Sequence, residues 1–152
     1  ASLLLTEMAA WYASQGLTLA DAMESLYEKY GYYAEHTYNL VMPGLDGLRD
    51  MAKLMKSLRE HPPAELSGVA VTAWKDYQDG TVVDCATGAT SSMELSGSNV
   101  LRFEMADGTS VIVRPSGTEP KIKVYILTQG TDAAACQANV DKYAQWVDSL
   151  KK

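Results

Sequence analysis

The sequence predicts an α+β fold in which an antiparallel sheet is covered by two helices and preceded by a separate pair of helices. Apolar and polar residues alternate with a period of two at 32–40 and 121–126, a pattern typical of strands that bury one face. Apolar residues recur every three or four positions at 48–58 and 131–150, which indicates amphipathic helices. Several strands with few intervening helices favour an antiparallel sheet with its helices on one face.

The first thirty residues show only helical periodicity. Apolar residues at helical spacing occupy 4–12 and stop near Gly16. A second helix is expected to begin after Thr18, which forms a capping box with Asp21, and to end at Gly31. Its apolar residues recur on one face: Leu19, Ala22, Met23, Leu26, Tyr27 and Tyr30.

A strand is predicted from Tyr32, and a helix follows it. One side of the strand carries Ala34, His36, Tyr38 and Leu40. We expect His36 to be a packed core histidine, because no nucleophile or carboxylate that would make it a catalytic base lies beside it. The helix is expected to bury Leu48, Met51, Ala52, Met55 and Leu58. It should end at His61, before two prolines, where an imidazolium favours the negative end of the helix dipole.

The second half of the chain is predicted to continue the sheet. A strand is expected over 69–77, and the Gly-, Ser- and Thr-rich interval 86–99 is interpreted as a connecting loop. Residues 100–105 and 110–113 predict a hairpin joined by Asp107-Gly108 as a two-residue turn.

The chain is predicted to close with one more strand and one more helix. Ile122, Val124 and Ile126 mark the strand, and a helix follows from about Thr131. The helix is expected to bury Cys136, Val140, Tyr143, Ala144, Val147 and Leu150. Cys136 then has a packing role, and Cys85 has no basic neighbour that would lower its pKa, so neither cysteine is expected to be reactive.

Composition and charge exclude several classes of function. Apolar residues make up 47% of the chain and charged residues 21%, as in globular proteins. The net charge of −6 disfavours binding to nucleic acid or to an anionic membrane. Two distant cysteines match neither a disulfide framework nor a zinc site. With no signal peptide and no apolar run of membrane-spanning length, a cytoplasmic location is expected.

The stretch RPSGTEPK, residues 114–121, differs from the rest of the chain because it is basic and lies between two predicted strands. Arg114 offers a planar fork of donors that suits two phosphate oxygens. Ser116 and Thr118 add hydroxyl donors, and a positive φ at Gly117 would let consecutive backbone N–H groups converge on an anion. The flanking prolines restrict the loop. The sequence therefore predicts a preformed site for an anion such as phosphate.

Three other interpretations are compatible with the residues alone. RPSGTEPK is also a favourable turn sequence in which Arg114 would pair with Glu119. The tyrosine-rich run at 27–38 resembles surfaces that stack on nucleobases, although the acidic balance disfavours this. An α+β domain of this outline could also be a non-enzymatic binding or assembly module.

The sequence resembles the α-D-phosphohexomutase family. RPSGTEPKIKVY is similar to the phosphate-binding loop of the family's fourth and last domain, and YEKYGYY resembles its bacterial phosphoglucomutase and phosphomannomutase branch. The resemblance implies that residues 1–31 are the helical end of the third domain. Residues 32–152 would be the fourth domain, with a fold like that of the TATA-box-binding protein.

The resemblance also implies a function and a set of site residues. Arg114, Ser116, Gly117 and Thr118 would bind the phosphate of a sugar phosphate, with weaker contributions from Lys121 and Lys123. The whole enzyme would interconvert hexose 1-phosphate and hexose 6-phosphate using Mg²⁺ and glucose 1,6-bisphosphate, closing by a hinge near residues 30–34.

The family's chemistry also requires a catalytic serine loop of the type T-A-S-H-N, a metal loop D-G-D-x-D-R and a sugar-reading loop G-E-x-S. None occurs in these residues. The chain is therefore expected to hold no catalytic residue and no cofactor, and to be inactive without the N-terminal domains. Their absence would leave the apolar helices uncovered, so self-association through residues 3–30 is expected.

Overall fold

The computed structural model describes residues 1–150 as a helical pair followed by an antiparallel sheet with two further helices. The helices are α1 (Ser2–Ser14), α2 (Leu19–Tyr30), α3 (Gly47–Glu60) and α4 (Ala133–Ser149). The strands are β1 (Tyr32–Val41), β2 (Glu65–Leu66), β3 (Val69–Asp76), β4 (Thr81–Asp84), β5 (Thr90–Ser92), β6 (Leu101–Met105), β7 (Ser110–Pro115) and β8 (Lys121–Gly130). The predicted α+β class is confirmed.

The strands lie in the order β1-β8-β7-β6-β3-β4-β5, and β2 pairs with β3. Every pair is antiparallel. β1 and β8 pair along their full lengths, from Tyr32 opposite Gly130 to Val41 opposite Lys121. The first and the last strand of the chain are thus neighbours, and β8 carries β7 on its other side.

Both α3 and α4 cover the same face of the sheet, as predicted. One core cluster joins Met51, Met55 and Leu58 of α3 to Val140, Tyr143 and Val147 of α4, together with the inward side chains of six strands. The inward positions of β8 alternate as expected, with Ile122, Val124 and Ile126 fully buried. Burial of this apolar surface is the main stabilising contribution to the fold.

The helical pair forms as predicted but stays largely exposed. The Thr18 hydroxyl accepts from the N–H of Asp21, and the Asp21 carboxylate accepts from the N–H of Thr18, which completes the expected capping box. Large apolar side chains of both helices face solvent: Leu3, Leu4, Leu5, Met8, Trp11, Met23, Leu26 and Tyr30. None of the described residues covers this surface.

Several predictions for individual residues are wrong. His36 is exposed, with its ring against Tyr38, because β1 is the edge strand and only Leu40 on its inner side is fully buried. Leu48 and Ala52 are exposed although they lie in the apolar stripe of α3. Met51, which lies between them, is buried in the core, whereas Leu48 and Ala52 border an open cleft.

Two predictions for the backbone also need correction. The 86–99 interval is not only a loop, because it contains β5, which pairs with β4. All three residues of β5 are exposed, so burial imposes no alternation of apolar and polar residues on this strand. The β6–β7 turn has three residues, not two: Met105 N–H donates to Thr109 O at 2.8 Å, and Gly108 closes the turn with a φ of 82°.

Candidate functional site

The RPSGTEPK stretch forms a compact connection between β7 and β8, as predicted. Two backbone hydrogen bonds close it: Ser116 N–H donates to Lys121 O at 2.8 Å, and Lys121 N–H donates to Glu119 O at 2.7 Å. A third fixes its far end, because Met42 N–H donates to Pro120 O at 2.8 Å. The loop is therefore anchored both to its own strands and to the segment that precedes α3.

Arg114, at the end of β7, is the exposed cation of the site. Within residues 1–150 its guanidinium makes no hydrogen bond or ion pair. Its cross-strand partner is Lys123, so two cations occupy opposite positions of one ladder. Glu119 pairs with Lys121, so the alternative pairing of Arg114 with Glu119 is wrong.

The charges of the loop are unevenly compensated. The hydrogen bond and charge of Lys121, and then the charge of Lys123, hold the pKa of the Glu119 carboxyl below its usual range. Lys121 is thus neutralised by a neighbouring carboxylate, whereas Lys123 forms no ion pair in the described part of the chain. The net local charge that faces solvent is positive, which suits an anion.

Gly117 does not use the positive φ that the sequence argument assigned to it. A Cβ at this position would meet nothing within 4 Å. The glycine therefore leaves open space at the loop surface, where a ligand can approach the backbone closely.

The first half of the loop lines a cleft of about 590 Å³. The cleft is bordered by three segments: Arg114 to Gly117, the face of α3 that carries Leu48 and Ala52, and residues 98–100. Of the predicted site residues, Arg114, Ser116 and Gly117 lie in this cleft. Thr118, Lys121 and Lys123 are outside its lining.

Sequence reasoning missed the third wall of the cleft. The sequence interpretation places Ser98 and Asn99 at the end of a connector and Val100 at the start of a strand, yet all three precede β6 and run beside the end of β7. Asn99 accepts a hydrogen bond from Arg59, 40 positions earlier in the chain. No local spacing in the sequence signals a contact over such a distance.

The described residues contain no group of three or more His, Cys, Asp or Glu side chains placed to hold a metal ion. They therefore do not fit a Mg²⁺ site. Residues 1–150 include no helix of the length and apolarity that crossing a membrane requires.

Comparison with known proteins identifies relatives of the chain. Residues 42–142 match the family "Phosphoglucomutase/phosphomannomutase, C-terminal domain". The chain is 36% identical over 143 residues to a phosphoglucomutase of Staphylococcus aureus strain RF122. This alignment covers 91% of this chain and 24% of that protein. It is 36% identical over 119 residues to the phosphoglucomutase of strain N315, covering 76% and 21%.

A solved structure is also similar: the phosphoglucomutase pp63/parafusin from Paramecium in its open form. The TM-score is 0.44 with 16% identity, over 86% of this chain and 23% of that one. The chain thus spans about a quarter of the length of the phosphoglucomutases that it matches.

Proposed function

The chain belongs to the phosphoglucomutase/phosphomannomutase family as its C-terminal domain, and we propose that its RPSGTEPK loop binds the phosphate of a hexose phosphate. The observation that carries this proposal is that Arg114, which lines the cleft and whose guanidinium has no protein partner within residues 1–150, lies opposite a second cation, Lys123, in the β7–β8 ladder. Two unneutralised cations at one ladder position favour a bound anion, because like charges placed opposite each other destabilise a sheet.

Each predicted ligand has a distinct role in this proposal. Arg114 binds two phosphate oxygens through its fork. Ser116 donates through its hydroxyl and Gly117 through its backbone N–H, and both lie in the cleft. Thr118 adds a hydroxyl from the exposed part of the loop. Lys123 contributes charge, and Lys121 contributes less because Glu119 already neutralises it.

The domain on its own is proposed to bind its ligand weakly and to catalyse nothing. Charge-assisted hydrogen bonds contribute roughly 1.5–3 kcal/mol each, while association costs at least about 4 kcal/mol. A lone half-site should then bind at about millimolar strength.

Catalysis belongs to the whole protein in this proposal. There, hexose 1-phosphate and hexose 6-phosphate would be interconverted through glucose 1,6-bisphosphate, with Mg²⁺ held by residues that this chain does not carry. The C-terminal domain would supply one wall of the substrate site. A cytoplasmic location, where sugar phosphates are found, remains part of the proposal.

Residues 1–31 are proposed to be the end of the preceding domain. Their apolar side chains are exposed here, and the matched phosphoglucomutases are about four times longer than this chain, so a partner surface within the same protein would cover them. In the isolated chain, the same surface is proposed to self-associate. Gly31, with a φ of 92° between α2 and β1, is the proposed hinge for domain closure.

An NMR titration of the ¹⁵N-labelled chain with inorganic phosphate tests the proposal. Arg114→Ala removes the proposed fork, and Arg49→Ala removes another exposed arginine, on α3, that pairs with Asp46. We expect shifts at residues 114–123 in the wild type and in Arg49→Ala, and none in Arg114→Ala. Equal binding by Arg114→Ala would mean that the loop is only a turn.

A further inference from the structure

A chain of three polar side chains connects the sheet core to the wall of the cleft. Arg59, in the last turn of α3, donates from Nε to Asp76 Oδ2 at 2.6 Å and from Nη2 to Asn99 Oδ1 at 2.6 Å. Asp76, at the end of β3, is 5% exposed. Because a buried carboxylate holds it through a short charge-assisted bond, the guanidinium has a fixed position.

This contact also fixes the orientation of the Asn99 amide. A guanidinium only donates hydrogen bonds, so the Asn99 atom that it contacts must be Oδ1. The Nδ2 donor then points away from Arg59. Within residues 1–150, Nδ2 has no acceptor, so Asn99 presents an oriented donor that the fold itself does not use.

The residue that carries this donor, Asn99, lines the same cleft as the first half of the phosphate loop. The β6–β7 ladder ends with Leu101 opposite Val113. Beyond this pair the two chains continue as Val100-Asn99 and Arg114-Pro115, and all four residues line the cleft. A backbone bond from Ser98 N–H to Tyr77 O, 2.9 Å long, fixes the segment that carries Asn99.

The size of the cleft leaves room for more than a phosphate. At about 590 Å³ it lies within the range of sites that enclose a small organic ligand, about 300–1,000 Å³. The charged donors that a phosphate requires come from the loop, whereas Asn99 is uncharged. An uncharged donor with a fixed direction suits a hydroxyl oxygen, which accepts through its lone pairs.

We propose that Asn99 is a specificity-determining residue that donates to a hydroxyl of the sugar, while the loop binds the phosphate of the same hexose phosphate. The proposal rests on the function proposed above for the loop. Arg59 is the positioning residue, because it orients the amide without reaching the ligand. An aspartate at position 99 would accept from Arg59 equally well. The contact with Arg59 therefore does not explain why this residue is an asparagine, which also carries a donor.

The test compares two ligands and two variants of the full 152-residue chain. Asn99→Asp keeps the acceptor for Arg59 and removes the donor. Ser96→Asp adds the same charge to the same connector outside the cleft lining, and so controls for electrostatic effects. Dissociation constants for inorganic phosphate and for glucose 6-phosphate are measured by NMR titration, and folding is checked by urea unfolding.

The ratio of the two dissociation constants is the informative quantity. We expect the wild type and Ser96→Asp to bind glucose 6-phosphate roughly three- to tenfold more tightly than phosphate, as one neutral hydrogen bond allows. Asn99→Asp should lose this preference with no loss of stability. A merely structural role for Asn99, as the acceptor for Arg59, would leave both the stability and the ratio unchanged in Asn99→Asp.

The outcomes separate this proposal from the preceding one. If Arg114→Ala abolishes phosphate binding but the wild type shows no preference for the sugar phosphate, the Asn99 proposal is overturned and the loop function stands. The same holds if Asn99→Asp retains the preference. If Arg114→Ala binds as the wild type does, both proposals are overturned.

Discussion

Arg114 and Lys123 lie directly opposite each other across β7 and β8, so the ladder holds two cations at one position. The folded chain keeps this repulsion although a neutral residue would remove it. A locally unfavourable pair of this kind is typical of a binding site, because a bound anion would attract both cations and so offset their repulsion.

Lys123→Gln should stabilise the ligand-free chain while weakening its response to phosphate. Removing one of two opposed cations should raise the free energy of unfolding by a few tenths to about 1 kcal/mol at low salt. Urea unfolding with and without phosphate measures both effects. Lys53→Gln, which removes an exposed lysine paired with Asp50, should give no gain, and an equal gain in both variants would argue against the opposed pair.

Arg59→Met should destabilise the fold strongly. It leaves the buried carboxylate of Asp76 without its cation, and breaking a buried pair in this way costs about 3–5 kcal/mol. Arg49→Met is the matched control on the same helix, since both partners of its pair with Asp46 are well exposed. That pair is worth about 0–1 kcal/mol. Similar urea midpoints for the two variants would contradict this account.

Tyr143→Phe should raise the pKa of Asp107. Burial opposes ionisation of this carboxyl, but hydrogen bonds from Thr109, Tyr143 and Lys142 outweigh it and lower the pKa. The Tyr143 hydroxyl donates to Asp107 Oδ2 at 2.8 Å. Its loss should cost about 1.5–3 kcal/mol at neutral pH, as for a bond to a charged group.

The sign of the pH dependence follows from that lowered pKa. The contribution of Asp107 is fully present above its ordinary pKa of 3.8 and is lost as the pH falls through the lower value of the folded state. The wild type should therefore lose more stability below pH 3.8 than Tyr143→Phe does. Urea unfolding over this pH range measures the difference, and parallel curves would exclude the proposed linkage.

Gly47→Ala and Gly117→Ala should differ sharply, although Gly117 lies in the phosphate loop and Gly47 packs against it. A Cβ at Gly47 would overlap the carbonyl oxygen of Met42 and lie 3.1 Å from Pro120 Cβ. Overpacking of this kind costs about 1–3 kcal/mol and should displace the loop anchor. A Cβ at Gly117 meets open space, so thermal unfolding should show a change only for Gly47→Ala.

Leu4→Glu should reduce self-association of the isolated chain. Leu4 is 70% exposed within the apolar helical pair, and a charge there opposes burial against a second copy. Leu95→Glu introduces the same change at a residue that is 68% exposed, far along the chain in a connector. Sedimentation velocity should show association for the wild type and Leu95→Glu only. A monomeric wild type at high concentration would refute the proposal.

The sequence predicted those parts of the fold in which burial imposes a period. β8 alternates cleanly because α3 and α4 cover one of its faces, and the buried stripe of α3 was found at Met51, Met55 and Leu58. β5 was missed because all of its residues are exposed. His36 was misplaced because alternation does not reveal how far the covering helices extend over an edge strand.

The candidate site was only half predictable for a related reason. Arg114, Ser116 and Gly117 are adjacent in sequence and carry their chemistry in one motif. Asn99 reaches the same cleft through Arg59 and Asp76, which lie on other elements. Only the tertiary fold brings these three residues together, so composition and spacing do not indicate that they are neighbours.

The pairing of β1 with β8 also constrains the order in which the domain can assemble. Paired residues of these strands are about 80 to 100 positions apart, and contacts so distant in sequence slow folding because a long loop must close first. During synthesis β1 emerges early and has no strand partner until almost the whole domain has left the ribosome. Pairing of β1, the strand that follows the proposed hinge, is therefore the last step in completing the sheet. A chain truncated before β8 would expose an unpaired β1 edge that is prone to aggregation.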